Sequence, residues 1–246
     1  MSCKLIIAAD VSDMRELVDI CAELPDEIEW YKVGLELFSC VGPDAVHELK
    51  KRGKRVFLDL KLHDIPRTVS RAVAAVSSHG VDMLTVHSSG GRVMLECVRN
   101  ASGHKAEAYP IVVAVTVLTS MDQNDLKDTG VARDMAEHAS ALGRLSIESG
   151  LDGLVCSPLE VSRLRRELGP APVLVVPGVR PAGSETNDQK RTATPGLAVK
   201  SGASYLVVGR SILESPSPRN AARDILNEIA EARSAANSRG NMKADS

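Results

Sequence analysis

The stretch Arg55-Val-Phe-Leu-Asp-Leu-Lys61, together with the run Met83-Leu-Thr-Val-His87 that follows it in the chain, decides the fold. Both runs are mostly apolar and do not alternate strictly, as expected for strands covered on both faces. Residues 67–78, which lie between them, have the spacing of an amphipathic helix. A strand, a helix and a second strand in this order form a βαβ unit, whose two strands are parallel.

The same unit repeats along the chain. Strand-like runs occur at residues 4–10, 29–33, 55–61, 83–87, 111–115, 153–156, 173–176 and 205–208. Helix-like stretches lie at residues 15–24, 43–52, 67–78, 92–101, 133–149, 158–168, 195–201 and 218 to about 236. Eight βα units in 246 residues predict an α/β protein with a single-domain (β/α)8 TIM barrel over residues 1–237 and a disordered tail at 238–246. A doubly wound open sheet is the alternative, although the first turn, Asp10-Val-Ser-Asp13, lacks the glycine-rich dinucleotide fingerprint.

The composition argues against several classes of function. Hydrophobic residues make up 43% of the chain and aromatic residues only 2%, so we expect a core of Val, Ile, Leu and Ala without base-stacking platforms. A net charge of -2 argues against a nucleic-acid partner. No run approaches the ~18 to 20 apolar residues of a membrane span, so no membrane partner is expected. Five scattered cysteines predict buried free thiols in a reducing compartment, and hence a cytoplasmic protein.

Ionisable residues lie at or just after the carboxyl ends of the first three strands, where barrel enzymes carry their catalytic groups. They are Asp10, Lys32, Asp59, Lys61 and Asp64. Asp59 and Lys61 are two residues apart in a strand, so they point to the same side, with the neighbouring leucines facing the helices. Opposite charges at a barrel mouth either neutralise each other as an ion pair at the rim or belong to a catalytic site. Alternating Lys and Asp favour a protonated lysine that acts as a general acid.

Glycine-arginine pairs follow the last two strands. Pro177-Gly-Val-Arg180 comes after the seventh strand and Val208-Gly-Arg-Ser211 after the eighth. Each pair alone is typical of an ordinary turn, but the loops after these two strands commonly bind phosphate in barrels. The long loops at residues 119–130 and 178–194 are typical of lids over a site.

The histidines show no metal-ligand spacing. His47, His79, His104 and His138 lie in helical or loop stretches and are interpreted as solvated or packing residues. His87, at the end of the fourth strand, could line the cavity, and its role is open. No metal site is predicted.

The stretch Asp59-Leu-Lys-Leu-His-Asp-Ile-Pro66 resembles the DxKxxDIP signature of the orotidine 5'-phosphate decarboxylase family. The resemblance covers nearly the whole chain, with further matches at residues 9–10, 32–36, 115–120, 176–181, 188–189, 191, 194–195 and 205–210, and it is strongest to the bacterial branch. Two residues depart from the family pattern. Leu62 stands where an aromatic residue is usual, and Arg67 where Asn is frequent.

The resemblance implies decarboxylation of orotidine 5'-phosphate to UMP, the last step of pyrimidine nucleotide synthesis, without metal or organic cofactor. Lys61 would protonate C6, Asp59 would lie near the substrate carboxylate, and Lys32 and Asp64 would complete the charge array. Asp10 and Lys32 would bind the ribose hydroxyls, with Thr68 reaching from the partner subunit, and Thr119 would bind the pyrimidine. The phosphate would be held by Arg180, Gln189, Gly209 and Arg210. Pro177 is a further substrate-binding residue. The resemblance also implies a homodimer that contributes Asp64 and Thr68 across its interface.

Two other functions compete with this hypothesis. The 3-keto-L-gulonate 6-phosphate decarboxylases share a DxKxxD motif but use Mg²⁺ and a carboxylate at the end of strand two, where this chain has Lys32. A non-catalytic phosphoribosyl-nucleotide-binding protein would need the phosphate clamp but not the four charged residues.

Overall fold

Eight parallel strands close into a barrel in a computed structural model that describes residues 3–101, 109–181 and 191–241. They are β1 (Lys4–Ala9), β2 (Trp30–Val33), β3 (Arg55–Leu62), β4 (Met83–His87), β5 (Ile111–Val115), β6 (Gly153–Val155), β7 (Val173–Val176) and β8 (Tyr205–Val208). The strands follow chain order, and β8 pairs with β1 through Lys4 and Tyr205. This closure confirms the (β/α)8 barrel and excludes the open sheet.

Helices cover the outside of the barrel. They are α1 (Met14–Glu23), α2 (Leu35–Val41), α3 (Asp44–Lys51), α4 (Pro66–Ser77), α5 (Gly91–Ala101), α6 (Gln123–Asp128), α7 (Met135–Glu148), α8 (Val161–Leu168), α9 (Pro195–Ser201), α10 (Arg210–Leu213) and α11 (Pro218–Asn241). Three short helices were not predicted, namely α2, α6 and α10. Helix α6 lies inside the predicted loop at 119–130 and begins with a capping box, in which Asp122 and Asp125 each accept the other's backbone N–H.

The final helix is longer than predicted. Its expected end lies near Ala236, but α11 continues to Asn241 and so crosses the predicted boundary between barrel and tail at residue 237. The segment around Ala232 is rich in Ala, Glu and Arg, which are good helix formers and favour this extension. The rest of the predicted tail, residues 242–246, lies outside the described residues.

One hydrophobic core fills the inside of the barrel, a larger one lies between strands and helices, and a small third cluster contains Val117, Leu126 and Ala139. The inner core consists of Ile6, Ala8, Trp30, Phe57, Met83, Val113, Val175 and Val207. Trp30 and Tyr205 meet edge to face there, with ring centroids 5.1 Å apart, so aromatic rings contribute to the interior despite their low number. Leu58 packs in the outer core, and Leu60 and Leu62 pack against it, which confirms that they face the helices.

The five cysteines are free, as predicted, but two of them are not buried. Cys3, Cys21 and Cys156 are buried, whereas Cys40 is exposed and Cys97 is half-buried. The prediction was wrong for Cys40 because its helix, α2, was not foreseen. In the part of the chain that the structure describes, no helix has the length and apolar character needed to cross a bilayer.

Candidate active site

A cleft opens where the carboxyl ends of the strands meet. Nine of the predicted site residues line it, namely Asp10, Lys32, Asp59, Lys61, Thr119, Pro177, Arg180, Gly209 and Arg210. Its remaining walls are largely apolar and include Phe57, Val115 and Val207. Charged groups in such a cleft are poorly screened by water, so their interactions are stronger than at an open surface.

Four charges of alternating sign form a continuous array in this cleft. Lys32 Nζ lies 2.6 Å from Asp10 Oδ1 and 3.8 Å from Asp59 Oδ2. Lys61 Nζ donates a hydrogen bond of 2.8 Å to the same Asp59 Oδ2. Lys32 and Asp59 are only 8% and 9% exposed. The Asp59 carboxylate is buried and shared between two lysines. An ion pair that merely neutralises two charges at the rim would be exposed, so the burial disfavours that interpretation.

Strand β3 is irregular at the residues that carry this chemistry. Leu58 pairs with Leu84 and Leu62 with Val86, so Asp59, Leu60 and Lys61 lie opposite Thr85 alone. Lys61 has a φ of 52°, and no other non-glycine residue of the described segments has a positive φ. Such a conformation costs of order 1 kcal/mol or more in a residue with a side chain and is typical of functional sites.

Thr85 is a site residue that the sequence did not identify. Its hydroxyl accepts the N–H of Lys61 at 2.8 Å and donates to Asp59 Oδ1 at 3.0 Å. The side chain is fully buried. A polar residue inside the apolar run of the fourth strand is the signal that could have revealed it.

The loop after β7 starts and ends close together. Val179 and Ala193 form an isolated β-bridge, and Arg180 N donates to Ala193 O at 3.0 Å. Arg180 is 8% exposed and lines the cleft, as does Arg210, which follows β8. Two arginines in one cleft suit a phosphate group, because arginine offers forked N–H donors. Gln189, predicted to bind the same phosphate, lies outside the described residues.

A buried ion pair between Arg191 and Glu160 connects the segments that follow β5, β6 and β7. Arg191 Nη1 donates to Glu160 Oε1, and Arg191 Nη2 donates to Leu118 O at 3.0 Å. Glu160 also accepts the N–H of Ser157 at 3.1 Å. Burial raises the pKa of Glu160, while the guanidinium of Arg191 and the N–H of Ser157 oppose that rise. Arg191 belongs to the family resemblance, but Glu160 was missed, because nothing local distinguishes it in a predicted helix.

Asp64 and Thr68 do not line the cleft of their own chain. Both are exposed near the start of α4, and Asp64 Oδ1 accepts the N–H of Ile65 at 2.6 Å. The structure therefore brings together nine of the predicted site residues and leaves these two on the surface. Arg67, one of the departures from the family pattern, is exposed beside them.

The histidines make contacts that their sequence spacing does not show. The ring of His87 lies 5.4 Å from that of His63, and His87 is not among the residues of the cleft. His47 Nε2 and His79 Nδ1 are 3.2 Å apart. Nδ1 of His138 is buried with no hydrogen-bond partner, and His104 lies outside the described residues. Within the described segments, no group of three or more His, Cys, Asp and Glu side chains could hold a metal ion.

A closed barrel of eight parallel strands, with a charged cleft at their carboxyl ends, defines a (β/α)8-barrel enzyme. A family model described as "Orotidine 5'-phosphate decarboxylase / HUMPS family" matches residues 3–225. The chain belongs to this family.

Similar proteins carry the same name. The chain is 46% identical over 231 residues to an orotidine 5'-phosphate decarboxylase of Moorella thermoacetica, covering 92% of both chains. It is 49% identical over 194 residues to one of Salmonella paratyphi A, covering 79% of both. Among solved structures, orotidine 5'-phosphate decarboxylase from Lactobacillus acidophilus is similar, with a TM-score of 0.83, 35% identity, and coverage of 93% of this chain and 99% of that one.

Proposed function

We propose that this protein decarboxylates orotidine 5'-phosphate to UMP, in pyrimidine biosynthesis and in the cytoplasm, without a metal or organic cofactor. The observation that carries the proposal is the position of Asp59, whose carboxylate contacts Lys61 and lies near Lys32 in the cleft. Relatives at 46% and 49% identity bear the name of this activity. The array supplies the oriented charge that such a reaction needs.

The chemistry requires a proton and a positive charge at one ring carbon. The bond between C6 and the carboxylate carbon breaks, CO₂ leaves, and the electron pair stays on C6. Lys61 Nζ then donates a proton to C6 and regains one from solvent. Because Asp59 lies 2.8 Å from Lys61 Nζ, the ammonium is oriented before substrate arrives, which lowers the reorganisation needed in the transition state. Asp59 would lie beside the substrate carboxylate.

The rest of the cleft binds the nucleotide. Asp10 and Lys32 take the ribose hydroxyls, Thr119 binds the pyrimidine, and Pro177 is a further binding residue of the cleft wall. Arg180, Gly209 and Arg210 hold the phosphate together with Gln189. The phosphate is remote from C6 and takes no part in bond breaking. Its binding free energy can be used to close the loops after β5 and β7 over the site and to order the charged array, which stabilises the transition state.

The active unit is proposed to be a homodimer in which Asp64 and Thr68 complete the site of the partner subunit. Both are exposed, and neither lines the cleft of its own chain. Three large apolar side chains are also exposed, with Leu35 at 55%, Ile65 at 67% and Val93 at 64%. They follow the carboxyl ends of the adjacent strands β2, β3 and β4, and a subunit interface would cover them.

Two alternatives are less well supported. The Mg²⁺-dependent relatives carry a carboxylate at the end of strand two, and this chain has Lys32 there, engaged with Asp10 and Asp59. A non-catalytic nucleotide-binding protein would not need a buried carboxylate held between two lysines, because even a paired buried charge rarely adds net stability.

The deciding experiment incubates the purified protein with orotidine 5'-phosphate in EDTA and follows the loss of substrate absorbance and the formation of UMP. We expect turnover in chelator and a fall of roughly 1,000-fold in the Lys61→Ala variant, since it lacks the general acid. Equal rates in the two proteins would disprove the role of Lys61. Activity that disappears with EDTA and returns with Mg²⁺ would favour the metal-dependent relatives.

A further inference from the structure

We infer that Thr85 is a positioning residue, which sets the geometry of Asp59 and Lys61 through one hydroxyl group. The inference rests on the proposed function and names a further residue of that site. Thr85 lies on β4, is fully buried and is not among the residues that line the cleft. It acts only through its two hydrogen-bond partners.

The direction of both hydrogen bonds follows from the chemistry of the groups. The backbone N–H of Lys61 is a donor, so Thr85 Oγ1 accepts it at 2.8 Å. The hydroxyl proton is then free for Asp59 Oδ1, at 3.0 Å, which as a carboxylate oxygen only accepts. One hydroxyl thus connects the main chain of Lys61 with the side chain of Asp59, and neither bond can be reversed.

The first bond maintains the irregular conformation of β3. Because three residues of β3 lie opposite Thr85 alone, the N–H of Lys61 lacks a place in the regular ladder. The Thr85 hydroxyl supplies the missing acceptor. Without it, this N–H would be unsatisfied in a largely buried position, and the positive φ of Lys61 would lose its support.

The second bond determines which oxygen of Asp59 is available to the lysines. With Oδ1 engaged by Thr85, Oδ2 takes Lys61 Nζ at 2.8 Å and lies 3.8 Å from Lys32 Nζ. Rotation of the carboxylate would separate these contacts and displace the Lys61 ammonium. A misplacement of about 1 Å at a reacting group costs on the order of 100-fold in rate.

The test compares variants that differ in the hydroxyl. Thr85→Val removes it and keeps the branched shape, whereas Thr85→Ser keeps it and removes only the methyl group. We expect kcat of Thr85→Val to fall about 10- to 100-fold with KM changed less than about threefold, and Thr85→Ser to stay within about threefold of the parent protein. The affinity for UMP should change little in either variant, since Thr85 is not among the residues that line the cleft.

Thermal unfolding of each variant reports whether it is folded. If Thr85→Val does not fold, the comparison of Thr85→Ala with Thr85→Ser tests the same hydroxyl group without added bulk. A hydroxyl-free variant that keeps the parent kcat would overturn the inference, even if it unfolds at a lower temperature. Equal losses of kcat in the serine and hydroxyl-free variants would also overturn it. Absence of turnover in the parent protein would instead refute the proposed function.

Discussion

Gly34 shows how much one missing side chain matters in this site. A Cβ placed there would lie 2.8 Å from Lys32 Nζ and 3.1 Å from Asp10 Oδ1. The φ of Gly34 is -92°, which any residue adopts, so the backbone itself does not require glycine. The space that Lys32 occupies is therefore what excludes a larger residue.

The Gly34→Ala substitution should lower kcat/KM about 10-fold or more, because the new methyl group displaces the Lys32 ammonium from Asp10. Steady-state kinetics on UMP formation measure the effect. Gly196→Ala is the control, since its Cβ would lie 3.0 Å from the flexible Glu228 side chain, outside the cleft. Equal kinetics for Gly34→Ala and the parent protein would show that the array tolerates this displacement.

His87 should make the stability of the fold depend on pH. Burial lowers the pKa of His87 from its ordinary value of 6.5, electrostatic interactions with His63 and Lys61 lower it further, and Asp59 opposes the decrease. A group whose pKa is lower in the folded state contributes stability above its unfolded pKa, and that contribution is lost as the pH falls through the folded pKa. Protonation of His87 below about pH 6.5 therefore favours the unfolded chain.

Urea unfolding of the parent and of His87→Gln, at about pH 7.5 and about pH 5.5, measures this contribution. The parent should lose more free energy of unfolding than the variant between the two pH values. A parallel decrease in both proteins would assign the pH dependence to other groups.

At the scale of elements, hydrogen bonds between loops connect the segment proposed to bind the pyrimidine with the loop proposed to bind the phosphate. Arg191 at the end of the β7 loop contacts Glu160 from the segment after β6 and Leu118 O from the segment after β5. Leu118 precedes Thr119, the residue proposed for the pyrimidine. The position of Thr119 and that of the β7 loop are thus connected through one guanidinium group.

Removing Arg191 should destabilise the fold and weaken substrate binding together. Arg191→Met leaves Glu160 buried without its counter-ion, which costs about 3 kcal/mol of unfolding free energy, and KM should rise because the β7 loop loses an anchor. Urea unfolding and steady-state kinetics provide the two measurements. The double variant with Glu160→Gln should regain part of the lost stability, since no uncompensated charge remains.

Arg163→Met is the matched control for that experiment. Arg163 pairs with Glu167 at 2.8 Å on the surface, and exposed pairs contribute little. The variant should resemble the parent in stability and KM. If Arg191→Met behaves like this control, the buried pair does not connect the loops.

At the scale of the whole molecule, one barrel contains the cleft but not every residue proposed for it. Asp64 and Thr68 are exposed near the start of α4, and the exposed Leu35, Ile65 and Val93 follow neighbouring strands. A two-fold symmetric pair of barrels would place the same patch of each subunit against the other. In such a dimer, Asp64 and Thr68 of each subunit would contribute to the active site of the other subunit.

Hybrid dimers test this arrangement. In a dimer of one Lys61→Ala subunit and one Asp64→Ala subunit, one site has both substitutions and the other has neither. Such a hybrid should show about half the activity of the parent dimer, whereas each variant alone is strongly impaired. The measurement uses differently tagged subunits, purified as verified heterodimers. Heterodimers no more active than the variants alone would contradict the sharing of Asp64.

Much of the fold and part of the site could be predicted because they depend on local patterns. Apolar runs marked all eight strands, and a two-residue period placed Asp59 and Lys61 on one side of β3. The short helices α2, α6 and α10 were missed, and for α6 and α10, with six and four residues, the segment is too short to show a clear period. Thr85 and Glu160 were missed because the sequence does not show which distant residue a buried polar side chain contacts.

The amino-acid sequence by itself determined the number and order of the strands and the types of charge at their ends, because neighbouring residues set local periodicity. Only the tertiary structure decided that β8 closes against β1, that Lys32 lies between Asp10 and Asp59, and that Thr85 supports β3. These contacts join residues far apart in the chain. They form only when the barrel closes, so no local pattern contains them.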